Sequence, residues 1–191
     1  IQVLTGIPAA WGVFQQPVMD EYGLSEQGAG YAFGVLIAAF GVGCVLGGFL
    51  QDSRGPRCAA LWGTALLCGG FFAAAMLPGG SAVSFFLAFS IPAGLGTAFL
   101  YPSIQSCAQK WYAGRKGLAT GVIGGAVGLS GAFLTVFVRT AVSGFGIEQG
   151  IRGAFWALGA LTHPVCLAGS LLQIDPPPEK QRPEEQGRGR N

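Results

Sequence analysis

The stretch GGFLQDSRGPR, residues 47–57, decides the fold. An apolar run leads into it and another leads out. Between them stand one carboxylate (Asp52), two guanidiniums (Arg54 and Arg57), Gly55 and Pro56. Each flanking run stays uncharged for more than about 20 residues, the length an α-helix needs to cross a bilayer. The charged stretch therefore reads as a tight loop between two membrane spans. Gly48 lies in the last turns of the first span. Gly55 permits a sharp turn, and Pro56 suits the first turn of the next helix. Asp52 meets the negative end of the preceding helix dipole, at a cost of a few tenths to about 1 kcal/mol. Arg54 and Arg57 are local candidates to offset it. The positive N-terminal end of another helix is a better one, because it would also lock two parts of a bundle together. The plainer alternative is a solvated loop whose arginines only set topology.

The rest of the chain repeats this pattern. Of 191 residues, 51% are hydrophobic and 10% are charged, against roughly a quarter charged in an ordinary soluble domain. The charges cluster at 20–26, 52–57, 110–116, 139–152 and from 175 onward. The runs between clusters are continuously apolar, whereas membrane-barrel strands alternate. The expected fold class is an all-α membrane protein, a six-helix transmembrane bundle over 1–174.

Its spans are 1–19, 28–50, 58–77, 82–103, 117–138 and 153–174. The first is the least apolar, with Gln2, Gln15, Gln16, Pro8 and Pro17. Ser25 is placed to cap the second, with Glu26 favourable in its first turn. LPGGS, residues 77–81, breaks an uncharged run too long for one span. Residues 175–191, DPPPEKQRPEEQGRGRN, read as a Pro-rich tail or linker.

The net charge of +2 says less than its distribution. Arg54, Arg57, Lys110, Arg115, Lys116 and the tail bases fall on one side of the bundle. Only Arg139 and Arg152 fall on the other, beside Asp20, Glu21 and Glu26. The positive-inside rule puts the 52–57 and 110–116 loops, the N-terminus and the tail in the cytoplasm, and the plasma membrane is the expected location. Trp111 and Tyr112 fit an interfacial belt, and Tyr31 reads as an interfacial anchor. No basic patch with interleaved aromatics is present, which argues against nucleic acid as a partner. The five cysteines are scattered without metal-ligand spacing. They read as small apolar fillers, and no metal or cofactor is implied. The chain opens at Ile1 without a basic leader, so it reads as a segment of a longer chain.

Glycine supplies a second pattern. Gly117, Gly121, Gly124, Gly128 and Gly131 lie on one face of the fifth span, and Gly125 completes a small-xxx-small pair with Gly121. Gly30, Gly34, Ala38, Gly41 and Gly48 form a similar face on the second. In lipid, helices associate through close backbone approach, which such faces permit. Static bundle packing and a sliding interface both fit.

Gly48-x-x-x-Asp52-x-Arg54-Gly55-x-Arg57 resembles the gating loop between the second and third spans of the major facilitator superfamily. Ser53 and Pro56 stand where that motif usually has basic residues. WGVFQQPVMDEYGLS (11–25), KWYAGRKGLATG (110–121) and DPPP (175–178) resemble the oxalate/formate antiporter branch, close to monocarboxylate carriers. The resemblance spans almost the whole chain. It implies the N-terminal half of a twelve-helix, rocker-switch secondary transporter for a small mono- or dicarboxylate. The Asp52 loop would latch its cytoplasmic side. The partners implied are the lipid bilayer, a small carboxylate substrate and a missing C-terminal six-helix half, which carries the substrate-binding bases of that branch. The family's first and fourth spans line its central path. Trp11, Gln15, Gln16, Tyr101 and Gln105 are the pathway candidates on that ground. Arg139 is expected to pair with Asp20 or Glu21, or to snorkel to the interface.

An alternative of another class remains. GLSG, residues 128–131, matches the nucleophile motif of rhomboid intramembrane proteases, which also use six spans and a histidine on the sixth. Ser130 with His163 as base is the minimum for nucleophilic catalysis. The glycine stripe already accounts for the glycines around Ser130. Pro164 kinks the sixth span beside His163, and a structural histidine is the plainer reading. A non-transporting membrane scaffold subunit is a third reading, with no motif of its own.

Overall fold

The structure, a computed structural model, describes residues 1–78, 81–144 and 150–174, with side chains over 1–78, 81–140 and 150–174. The tail expected at 175–191 lies outside the described residues, as do Gly79 and Gly80 of the expected turn. Every regular element among the described residues is helical. The chain is an integral, multi-pass helical membrane protein. Five of its helices are long and apolar enough to cross a membrane.

The first predicted span divides into α1 (Gln2–Thr5) and α2 (Ile7–Tyr22). The physical reason is Pro8. It has no N–H to give the Leu4 carbonyl, so the ladder stops and restarts at Gly6. The Gly6 carbonyl accepts from the amides of Ala9 and Ala10 at 3.1 and 3.2 Å. Next comes α3 (Glu26–Arg54), capped by Ser25, whose hydroxyl accepts from the Gly28 amide at 3.1 Å. A single residue, Gly55, separates it from α4 (Pro56–Met76). Then follow α5 (Ala82–Trp111), α6 (Lys116–Gly144) and α7 (Gly150–Leu171). Within α5 the turn Phe86–Ser90 is π-helical. Pro92 follows it closely, leaving the Ala88 carbonyl without its usual donor and loosening the helix there.

At the centre of the bundle, α5 packs against α3 on one side and α4 on the other. Small residues let the backbones approach. A side chain at Gly43 would meet Ala98 and Leu95, one at Gly47 would meet Phe99, and one at Gly96 would meet the α4 backbone at Leu67. Phe71, Phe85, Phe89 and Phe155 pack tilted against one another, with ring centroids 5.0–6.5 Å apart. Phe14 stacks on Phe155, and Trp11 stacks on Phe33 and Phe89. Such pairs contribute about 0.5–1.5 kcal/mol each beyond their buried area.

A short polar ladder joins α4 to α7. Thr64 Oγ1 and Ser170 Oγ stand 3.1 Å apart, and Cys68 Sγ and Thr162 Oγ1 stand 3.7 Å apart. Interhelical bonds of this kind average about 0.6 kcal/mol in a membrane.

The predicted glycine faces point elsewhere. A side chain at Gly121, Gly124, Gly125 or Gly128 would meet no atom within 4 Å, and of that stripe only Gly131 approaches α2, at Ala9. On α3, Gly30, Gly34, Gly41 and Gly48 are equally open. The side of α6 that meets the bundle carries Ala119, Ile123, Ser130, Leu134 and Val138 instead.

Candidate functional site

Two features outside the packed core offer chemistry. The first is the charged loop at 52–57. The backbone of α3 holds its last turn to Gly55, whose N–H donates to the Gln51 carbonyl at 2.8 Å. Gly55 has φ of 85°, a region that side chains disfavour. The chain then enters α4 directly through Pro56. Asp52, Arg54 and Arg57 are all exposed, and among the described residues none of them is ion-paired or hydrogen-bonded through its side chain. The unfavourable dipole contact of Asp52 is thus not offset by its neighbouring arginines.

The second feature is a cavity of about 360 Å³ walled by α1, α2, α3, α5 and α6. Thr5 and Gln2 face it from α1, Phe40 from α3, and Thr97 and Tyr101 from α5. None of its lining residues is charged. Thr5 Oγ1 donates to Gln2 Oε1 at 2.9 Å. Gln2 Nε2 is buried without a partner among the described residues. Thr97 Oγ1 is likewise buried and unpartnered. Both residues are only 6% exposed, so water does not satisfy them from bulk solvent. Tyr101 is half-buried, its ring edge-on to Phe40 with centroids 6.4 Å apart.

Of the five pathway candidates, Tyr101 alone lines this cavity. Trp11 belongs to the aromatic core. Gln16 is exposed and donates to Asp20 Oδ1 at 3.1 Å, while Gln15 and Gln105 are half-buried away from the cavity. Sequence reasoning picked out Gln2 as a polar residue in a span but gave it no role, and passed over Thr97. A polar residue inside an apolar run was the available signal.

Glu21 pairs with Arg152 rather than with Arg139. Arg152 Nε lies 2.7 Å from Glu21 Oε1, an ion contact without hydrogen-bond alignment. The guanidinium also covers the Tyr22 ring at 5.9 Å, and Tyr22 Oη donates to the Ala74 carbonyl at 2.7 Å. This cluster ties together α2, α4 and α7. Arg139 is exposed.

The protease constellation does not assemble. Ser130 is buried against Gly6 and donates to the Val127 carbonyl. His163 is exposed on the outer face of α7, with Pro164 beside it. Among the described residues there is no cluster of potential metal ligands.

Comparison with known proteins agrees with this architecture. The family model described as Major Facilitator Superfamily matches residues 3–191. Monocarboxylate transporter 9 of Mus musculus is 30% identical over 94% of this chain and 35% of its own length. The oxalate:formate antiporter of Oxalobacter formigenes is 26% identical over 66% of this chain and 30% of its own length. The chain therefore spans about a third of the length of these relatives. A crystal structure of the peptide transporter POT in complex with sulfate superposes with a TM-score of 0.65 at 22% identity. That superposition covers 89% of this chain and 36% of the other.

Proposed function

The chain belongs to the Major Facilitator Superfamily, and from that premise we propose that it is the N-terminal half of a secondary transporter for a small organic anion. The cargo is a mono- or dicarboxylate, and the mechanism is rocker-switch alternating access. One observation carries the reading. The uncharged cavity lies among α1, α2, α3, α5 and α6, and, Gly131 apart, the glycine faces of α3 and α6 have no neighbour among the described residues. A second six-helix half fits that arrangement, packing on the two smooth faces and closing the cavity between the halves. Small residues there keep the moving surfaces free of interlocking side chains. The relatives' names, a monocarboxylate transporter and an oxalate:formate antiporter, support a carboxylate cargo.

In this reading Asp52 is a latch. Its carboxylate is exposed and unpaired among the described residues, and the N-terminal end of a helix in the second half offers it a positive dipole. The distribution of Lys and Arg puts this latch on the cytoplasmic side.

The test is counterflow in proteoliposomes holding the complete gene product. Liposomes preloaded with oxalate, formate or a short monocarboxylate should accumulate the labelled acid faster than unloaded ones. Uptake equal to that of protein-free liposomes across all these acids would end the reading.

A further inference from the structure

We propose that Trp111 is a releasable clasp: its indole N–H holds the chain leaving α7 against the C-terminal end of α5, and the clasp opens and closes as the carrier changes orientation. The inference rests on the carrier reading and adds a positioning residue to it.

The contact joins α5 to α7 directly, whereas elsewhere α4 packs between them. Trp111 is the last residue of α5, and its Nε1 donates to the Ile174 carbonyl at 2.8 Å. Cys107, one turn earlier on the same helix face, places its Sγ 3.7 Å from that oxygen. On the other side, α7 ends at Leu171. The amides of Leu172 and Gln173 still donate back to the Ala168 and Ser170 carbonyls, at 3.1 and 3.3 Å, and Ile174 lies beyond the helix. The chain that leaves α7 is thus held by α5, the helix that brings Thr97 and Tyr101 to the cavity. Trp111 stands about 15 Å past Tyr101 along that helix, so the clasp acts on the helix and does not touch the cargo.

Holding the chain there is opposed by Gln173. That residue is 8% exposed, and neither end of its side-chain amide has a partner among the described residues. A primary amide carries one acceptor and two donors, and burying it unmet is unfavourable. Release of Ile174 would return the amide to water. One neutral hydrogen bond therefore favours the closed strap and one unmet amide favours the open strap, and the two contributions are of similar size. Opposed contributions of similar size leave two states close in free energy, and a change elsewhere in the carrier can bias them. A contact that served only to fix the chain would gain from an apolar residue at 173.

The experiment uses the complete gene product in proteoliposomes. Gln173→Cys reports opening through alkylation by a maleimide, read by mass spectrometry on the peptide carrying residue 173, so the native cysteines stay in place. Adding Trp111→Phe, which keeps a ring but removes the donor, should speed that alkylation about two- to tenfold, as loss of one neutral hydrogen bond implies. With Trp111 present, saturating oxalate or formate, whichever is accumulated in counterflow, should change the rate by about twofold or more. Transport gives the second readout. Trp111→Phe favours the open strap and Gln173→Leu the closed one. Each alone should slow counterflow, and the double variant should recover toward wild type because the biases offset. Losses that add would mark a merely structural contact and overturn the clasp. So would an alkylation rate that neither Trp111→Phe nor the transported acid moves. Membrane level and melting temperature identify a variant that fails to fold, and Trp111→Tyr or Gln173→Met then replaces it. Failure of these readouts in a protein that transports leaves the carrier reading standing. A protein that accumulates neither acid, nor a short monocarboxylate, overturns the carrier reading and the cycling of the clasp with it.

Discussion

Gly55 is the whole connection between α3 and α4. Its φ of 85° puts a Cβ in a region that costs an ordinary residue about 1–2 kcal/mol, although the space around it is open. Gly55→Ala should therefore lower stability by about 1 kcal/mol through backbone strain alone, seen as a lower melting temperature in detergent. An unchanged melting temperature would mean the turn relaxes. Asp52→Asn addresses function instead. It should impair transport while membrane level stays normal, since the carboxylate pairs with nothing among the described residues. Normal transport at normal level would refute the latch. At the other end, Arg152→Leu should cost up to about 1 kcal/mol, because both partners of the pair are about a third or a quarter exposed and solvent screens them. A double-mutant cycle with Glu21→Gln measures the coupling. Ser25 as a cap and the Gly55–Pro56 turn were legible in the sequence, because capping and turn chemistry act over a few neighbouring residues. The Glu21–Arg152 pair was not, because α2 and α7 are distant in the chain and only packing brings them together.

Among the helices, glycine separates into two roles. Gly43, Gly47, Gly63 and Gly96 sit where α5 meets its neighbours, and a side chain there would strike Phe99, Leu100 or backbone. Gly124 and Gly128 face open space. Gly96→Leu should therefore prevent stable folding of the bundle, read as loss of protein from the membrane. Gly124→Leu and Gly128→Leu should insert and fold but impair transport, because the side chain holds off the second half. Equal folding defects in both groups would show that the α6 face already packs within this half. Full transport by the α6 variants would assign that face to lipid. Spacing alone identified the α6 stripe as a helix face. It did not tell which of the two glycine-bearing sides of α3 meets α5. The break at Gly6 was also missed, although Pro8 was its cause. Proline within the first turn of a helix and proline that interrupts one look alike until the preceding turn is seen.

On the scale of the molecule, the proposed carrier draws one wall of its site and two open helix faces from this chain. If a second half completes it, the native gene product should have about two to three times the mass of this chain, as its relatives' lengths imply, by intact mass spectrometry. A product of this chain's size alone would require a separate partner chain, detectable by co-purification. If neither appeared, the two-half assembly would be withdrawn. The cavity was only partly readable beforehand. Tyr101 was anticipated, by analogy with a family whose fourth span lines the path. That Gln2 and Thr97 line the same cavity emerges only from the fold, since α1 and α5 are distant in the chain.

By itself, the sequence determined the class: charges gathered into short links and uncharged runs long enough to span a bilayer. A backbone that crosses lipid must satisfy its own hydrogen bonds, so such runs become helices whatever surrounds them. The loop at 47–57 and the segments beside it were enough to point to the family. The tertiary structure alone decided which side of each helix faces a neighbour, which arginine meets Glu21, and which polar groups share a cavity. The physical reason is that lipid and protein interior are about equally apolar. Hydropathy therefore carries no inside-out signal within a span, and the rotation of each helix is set by close packing against its neighbours.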